Sequence, residues 1–573
     1  MKKKILTALI ILSIFTLSSC GTMPAETENT TATAAQTDVS DNGTAEEGEE
    51  PSPAEHFITD GNKITGYNGT GGKVIIPSEI GGQVITVIGT EAFAYHDEIT
   101  EIVIPESVTD IEEKAFYICE NLTSLKIGNG IETIESEAFA SCRKLTDVTI
   151  GENLKYSGYG AFANTPFIES GEFVTSGKTL LKYNGTGTDI TIPDGIEIIA
   201  PLAFSHNTDI TSVTMPESVK RIQGLAFTGC DKLKTVTLSD NVELIAERAF
   251  SYCSSLEGFT VPTATLDLKD GVFIGCTALK SVTLHDNFTG IGKDAFNGCT
   301  SLGEITLPKS VDSIMDGAFN GCSALKAIVI PDGTAAINQK TFYGCTSLSE
   351  IVIPDSVVTI GDYAFASCES LTEIPAAASV ENYGAGVFEN CKALKKAVMP
   401  DTVTSIGNNI FKGCSVLEEL TLSANVAGVP DYAFEKCTAL KSVVIPDSVE
   451  FVGEGAFNSC TALETVEMGD NIAIYGPQAF KGCSALTSVE VSSAAKVITE
   501  NMFAGCTALK SVKLPDSIET IEKTAFNKCE NLSEVNVPAS IKSVGYAAFG
   551  KCPMLSPLTF PDGTDVHKDA FKN

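Results

Sequence analysis

The chain has no tryptophan, and its arginines number three: Arg143, Arg221 and Arg248. Across 573 residues, 39 Lys and Arg face 73 Asp and Glu, for a formal net charge of −34. Affinity for nucleic acid rests on neutralised phosphates, so a chain this acidic and this poor in arginine repels it. The five histidines (His56, His96, His206, His285 and His567) are scattered, so no Ser/His or Cys/His pair for nucleophilic catalysis can be assembled. There is no Gly-x-Ser-x-Gly, His-Glu-x-x-His, EF-hand loop or Arg-Gly-Asp. Zinc needs clustered ligands such as Cys-x-x-Cys, and none occurs. The run Gly171-Glu172-Phe173-Val174-Thr175-Ser176-Gly177-Lys178-Thr179 resembles a phosphate loop, but five residues separate its glycines where the motif needs four. These absences predict a protein that is not an enzyme and has no cofactor and no metal site.

What the chain does have is a period. From Phe204 to Phe549 a Phe recurs every 23 residues, sixteen times, and Phe93, Phe116, Phe139 and Phe162 keep the same step. A fixed period of this length marks a solenoid of stacked coils. Counting from each Phe as position 0, Leu falls at +6 (Leu279, Leu302, Leu325, Leu348). Aliphatics fall at +9 (Val282, Ile305, Ile328) and +11 (Leu284, Leu307, Ile330). With polar or small residues at +8 and +10, this is the alternation of a half-buried strand. Pro usually follows at +12 and stops the strand, having no N–H to donate. Val or Ile returns at +15 and +18. The stretch from about +20 round to +5 is short and rich in small residues, and reads as a single helical turn. No coil can bury its own apolar face. Neighbours must cover it, with strands pairing from coil to coil.

The unit Ala-Phe-x-x-Cys-x-x-Leu-x-x-Ile-x-Ile-Pro-Asp-Ser-Val-x-x-Ile-Gly resembles the bacterial surface leucine-rich repeat family called BspA-like, over about residues 60–573. The resemblance implies a right-handed curved solenoid, displayed outside the cell and used in attachment or interaction, with no catalytic residues to carry over. The fold class expected is therefore a β-rich solenoid (an α/β repeat), a leucine-rich repeat array of short strands and single helical turns with about 20 coils.

At the start, Lys2, Lys3 and Lys4 precede an apolar run from Ile5 to Leu17, which reads as a secretory signal and is too short for a good membrane span. It ends Leu17-Ser18-Ser19-Cys20-Gly21, which resembles the bacterial lipoprotein box. That resemblance implies cleavage after residue 19 and lipid attachment to Cys20. Residues 20–55, rich in Thr, Ala and Glu without hydrophobic period, read as a disordered tether with a reach of roughly 30–35 Å. The solenoid occupies 56–573. Its first part, 56–92, reads as an N-terminal cap. A 42-residue gap between Phe162 and Phe204 holds an irregular hairpin insertion at about 167–193. The insertion echoes the cap, since Tyr67 and Tyr183 each stand ten residues before a Pro. It fits a bend, a subdomain boundary or a binding protrusion. The last unit, Ala570-Phe571, closes one residue short of register. No sorting motif or membrane span follows the array, which makes Cys20 the expected anchor.

Of 18 cysteines, all but Cys20 sit at +3, from Cys119 to Cys552. Parallel Cβ vectors at the ~4.8 Å spacing of stacked strands are too far apart for disulfides. A ladder of buried free thiols acting as small hydrophobes is expected. Two surface stripes remain. One is the strand face at +8 and +10, with Thr214, Thr237, Thr260, Thr283 and Thr306 beside Glu304, Glu350 and Glu373 as candidate binding residues. Extended solenoid faces commonly bind partners, and the competing reading is an ordinary solvated sheet with cross-strand Thr pairs. The other is a carboxylate stripe at +13 (Glu217, Asp240, Asp286, Asp332, Asp355, Asp401, Asp447, Asp470, Asp516), read as turn residues that bond their local backbone. The function expected is an exported, lipid-anchored protein exposed at the cell surface. It would act as an adhesin or interaction protein for host or bacterial surface proteins. The alternative is a glycan-capture protein serving a neighbouring uptake system, against which the lack of Trp counts.

Overall fold

The structure, a computed structural model, describes residues 49–375 and 377–572. The signal segment, Cys20 and most of the tether lie outside the described residues.

Each regular coil makes two short strands and one turn segment, and each of the three stacks on its equivalent in the next coil. The first strand spans +8 to +10, as in Ser281–Thr283, Ala327–Val329 and Ser442–Val444. Its central residue points inward and its flanking residues outward, so Ile328 is buried between Ala327 and Val329. Pairing is parallel, in register with the repeat: Ala327↔Glu350, Ile328↔Ile351, Val329↔Val352. The second strand, at +17 and +18, is only two residues long, as in Ser313–Ile314, and pairs the same way (Gly290↔Ser313, Ile291↔Ile314). Coil 365–388 forms no first strand. Pro375 stands at +10 there, and Glu373 makes only an isolated bridge to Lys396.

The stretch read as a helical turn is not helical. The sole helix among the described residues is the 3₁₀ turn Ala54–His56. Around each Phe the chain instead runs through positive φ at −2 and usually at +2, for example Asp294 (54°) and Gly298 (75°), or Lys340 (54°) and Gly344 (70°). This turns alternate N–H groups out of the coil. Asp294 N donates to Asp316 O (2.9 Å), Phe296 N to Ala318 O (2.8 Å) and Gly298 N to Asn320 O (2.8 Å), all in the following coil. The intervening N–H groups close local turns: Asn297 N to Asp294 O and Cys299 N to Phe296 O, both 3.0 Å. A helix would spend all of these donors within one coil. Here half of them hold the next coil instead.

The Phe side chains form a continuous column inside the turn segments. Successive rings from Phe204 to Phe549 stack nearly parallel, with centroids between 4.5 Å (Phe204–Phe227) and 6.1 Å (Phe250–Phe273). The column is broken once. Phe162 meets Phe167 edge-on at 5.4 Å, and a second column begins at Tyr183, which stacks on Phe204 at 5.2 Å. Tyr67 heads the first column in the same way, 5.3 Å from Phe93. Each Tyr ends the second strand of an antiparallel hairpin. Phe57–Asp60 pairs with Lys63–Tyr67, and Phe173–Ser176 with Thr179–Tyr183. Both hairpins slip register at the same point, between Ile58 and Thr59 and between Val174 and Thr175. The buried side chains accordingly fall into two clusters, one from Phe57 to Ala200 and one from Leu180 to Ala570.

Candidate binding face and the thiol ladder

The strand face follows from the alternation of the first strand: +9 goes into the core, and +8 and +10 go to solvent. Thr214, Thr237, Thr260, Thr283 and Thr306 are all exposed, as are Glu304, Glu350 and Glu373. Parallel pairing sets Thr214 beside Thr237 and Thr260 beside Thr283. Glu304 bridges to Ser281, Glu350 lies beside Ala327, and Glu373 beside Lys396. The candidates therefore share one surface, spread along it coil by coil, and do not converge on a pocket.

The same column carries residues that the sequence reading passed over. Beyond Thr306, position +10 becomes Val329, Val352, Pro375 and Val398, and then Val444 after Thr421. The four valines are 61, 58, 46 and 58% exposed. Val329 pairs directly with Val352. So the face changes along its length from a hydroxyl stripe to an apolar one, with Glu304, Glu350 and Glu373 alongside. The signal was present as Thr giving way to Val at a position already read as outward.

Several of the +13 carboxylates bond across coils, where the local-turn reading had them bond their own turn. Asp447 Oδ1 accepts from Asp470 N (3.0 Å), Asp401 Oδ1 from Ala424 N (3.2 Å) and Asp240 Oδ1 from Thr263 N (3.3 Å). The parallel stacking carries the next turn's N–H past each carboxylate, and the oxygen takes it. Among the described residues no group of three or more His, Cys, Asp or Glu could hold a metal ion.

The seventeen repeat cysteines are free and buried. They are more than small apolar fillers. Each thiol donates to the carbonyl of the Phe one coil earlier, as in Cys345 Sγ to Phe319 O (3.2 Å), Cys322 Sγ to Phe296 O (3.2 Å) and Cys119 Sγ to Phe93 O (3.0 Å). Phe296 O thus accepts from its own Cys299 N and from Cys322 Sγ, which uses both lone pairs of a buried carbonyl. Burial pushes the thiols of Cys276, Cys345, Cys391, Cys460 and Cys506 up to about 12. A protonated, buried sulfur is a poor nucleophile, so the ladder is structural.

The family described as "BspA type Leucine rich repeat region (6 copies)" matches residues 73–184, 177–303, 289–418, 404–515 and 452–573. Among solved structures, a leucine-rich repeat protein from Bacteroides ovatus is 20% identical, with 92% of this chain and 98% of that one covered and a TM-score of 0.33. A leucine rich cell surface protein from Faecalibacterium prausnitzii is 27% identical, with 66% and 89% covered and a TM-score of 0.33. No curated protein matches the chain.

The thiols make a pH prediction. For Cys276, Cys345, Cys391, Cys460 and Cys506 the folded pKa lies above that of the unfolded chain, near 8.5, so the folded state holds more protons in between. Stability is then full below about pH 8.5 and falls as pH rises towards about 12. Alkaline unfolding followed by circular dichroism should show this loss. A variant with several ladder cysteines replaced by Ala should show a shallower alkaline slope, and an equal slope would contradict the assignment.

Proposed function

Because the chain belongs to the BspA type leucine-rich repeat family, we propose that it is a cell-surface protein that binds other macromolecules, as an adhesin or interaction protein, through its strand face. The observation that carries this reading is the run of exposed valines at +10. A surface valine alone needs no explanation, but four on one column of one face, following an exposed threonine stripe and interrupted by Pro375 and Thr421, mark a patch of the kind that partners cover. The repeat gives that face a regular and extended shape, which suits a protein partner more than a small molecule.

The partner is a host or bacterial surface protein. Its contact would combine apolar groups over Val329, Val352 and Val398 with basic groups near Glu304, Glu350 and Glu373. Charge at the rim would set the association rate and its salt dependence, while the apolar centre would set residence time. Cys20 anchors the chain by lipid, and the acidic tether holds the array clear of the membrane. Firm anchoring takes more than one acyl chain.

Two measurements test this. Residues 49–573 should bind at least one member of a panel of matrix, serum and bacterial surface proteins. Replacing Val329, Val352 and Val398 by Lys should weaken that binding by more than about tenfold, the equivalent of 1.4 kcal/mol, with the melting temperature unchanged. Binding that survives the triple change, or that appears only on a glycan array, would contradict the strand-face reading. Separately, Cys20→Ala should move the protein from the membrane fraction to the soluble fraction of the producing cell. Retention in the membrane would contradict the anchor.

A further inference from the structure

The regular coils offer three outward N–H groups, at −2, 0 and +2, and the next coil's carbonyls at −3, −1 and +1 receive them, apart from Leu202 N and Lys551 N. At the Phe139 coil, Glu137 N, Phe139 N and Ser141 N reach Tyr159 O, Ala161 O and Ala163 O (3.0, 2.7 and 2.7 Å). One coil later the row stops. Gly160 N, Phe162 N and Asn164 N have no hydrogen-bond partner among the described residues, although Gly160 (φ 63°) and Asn164 (φ 59°) keep the backbone that turns these groups outward. The insertion that follows contributes a hairpin to the second-strand ladder but no turn segment at this level.

The far side of the gap is incomplete in the complementary sense. Carbonyls at −3 and +1 of the Phe204 coil, Pro201 O and Ser205 O, take no hydrogen bond among the described residues, while Ala203 O between them accepts from Tyr183 N (2.9 Å). Gly160, Phe162 and Asn164 line a cavity of about 240 Å³ together with Pro201, Leu202 and Ser205. Lys182 and Glu169 also line it, and neither makes an ion pair among the described residues. With one charge of each sign, the cavity does not select an anion. With donors on one side and acceptors on the other, it matches a polypeptide backbone.

We propose that this junction cavity is a peptide-binding site, in which a short extended segment of a partner protein supplies the missing rung of the turn ladder. Alternate carbonyls of the segment would take the N–H groups of Gly160, Phe162 and Asn164, and its own N–H groups would serve Pro201 O and Ser205 O. Phe167 already packs on Phe162, so no room remains for a new aromatic in the column. The segment would therefore carry Gly, Ala or Ser. This site is separate from the strand face and stands or falls without it.

Hydrogen exchange read by mass spectrometry on residues 49–573 tests the proposal, with the blocked peptide acetyl-Gly-Ala-Ala-Ser-Gly-amide as probe. In the free chain, residues 159–165 should exchange faster than the equivalent residues 136–142. At peptide concentrations about ten times the dissociation constant, exchange in 159–165 should slow by about tenfold. Ser205→Tyr should abolish that protection while the melting temperature holds, because Tyr117 and Tyr343 occupy the same repeat position in regular coils; Ala163→Tyr is the second plug if the first variant is destabilised. No protection by the peptide, protection that persists in the plugged variant, or equal protection by acetate or inorganic phosphate would each overturn the proposal, the last in favour of an anion site.

Discussion

The structure depends on one constraint: the outward half of each turn segment's backbone donors, at −2, 0 and +2, is satisfied by the coil that follows. Positive φ at −2 and +2 is costly for side-chain-bearing residues, of order 1–2 kcal/mol each, and this array places Leu225, Ile118 and Thr524 there. The conformation persists because N–H groups that would otherwise be buried and unpaired find carbonyls one coil along. The Phe column and the thiols belong to the same arrangement. The ring fills the space behind the turn, and the thiol takes the second lone pair of the carbonyl that the ring's own residue carries. Removing the neighbour would leave all three unsatisfied together.

This explains what could be read in the sequence. Phe296, Leu302 and Ile305 recur at fixed spacing and mark the core, and the alternation around Ile305 marks the first strand. The second strand escaped notice because two residues, such as Ser313 and Ile314, are too few to show alternation. The turn was misread as helix for a different reason. Residues such as Lys340, Tyr363 and Gln478 carry no signature of positive φ, so the conformation is imposed by the neighbouring coils and is invisible in any single one. Cys at +3 was correctly read as a buried free thiol, but its donor role needs the carbonyl 26 residues earlier, which only the stacking brings near.

The surface was less legible than the core. Thr214 to Thr306 and the three glutamates were singled out as outward-facing, and they are exposed. Val329, Val352, Val398 and Val444 were not, because an aliphatic residue in a strand is read as core by default. The break at residues 163–203 separates two arrays that each begin with an antiparallel hairpin and a Tyr. A chain assembled from such units carries an incomplete edge wherever one unit ends and the next begins.

The most direct test of the central claim is the stability of two deletions compared by thermal unfolding. Removing residues 297–319 takes out one full period and rejoins Phe296 to Asn320, so every ladder closes in register. Removing residues 297–307 takes out about half a period and leaves every ladder out of register. The account predicts that the first variant keeps a cooperative melt within about 5 °C of the parent, and that the second loses structure beyond the deletion. Equal damage from both would contradict it.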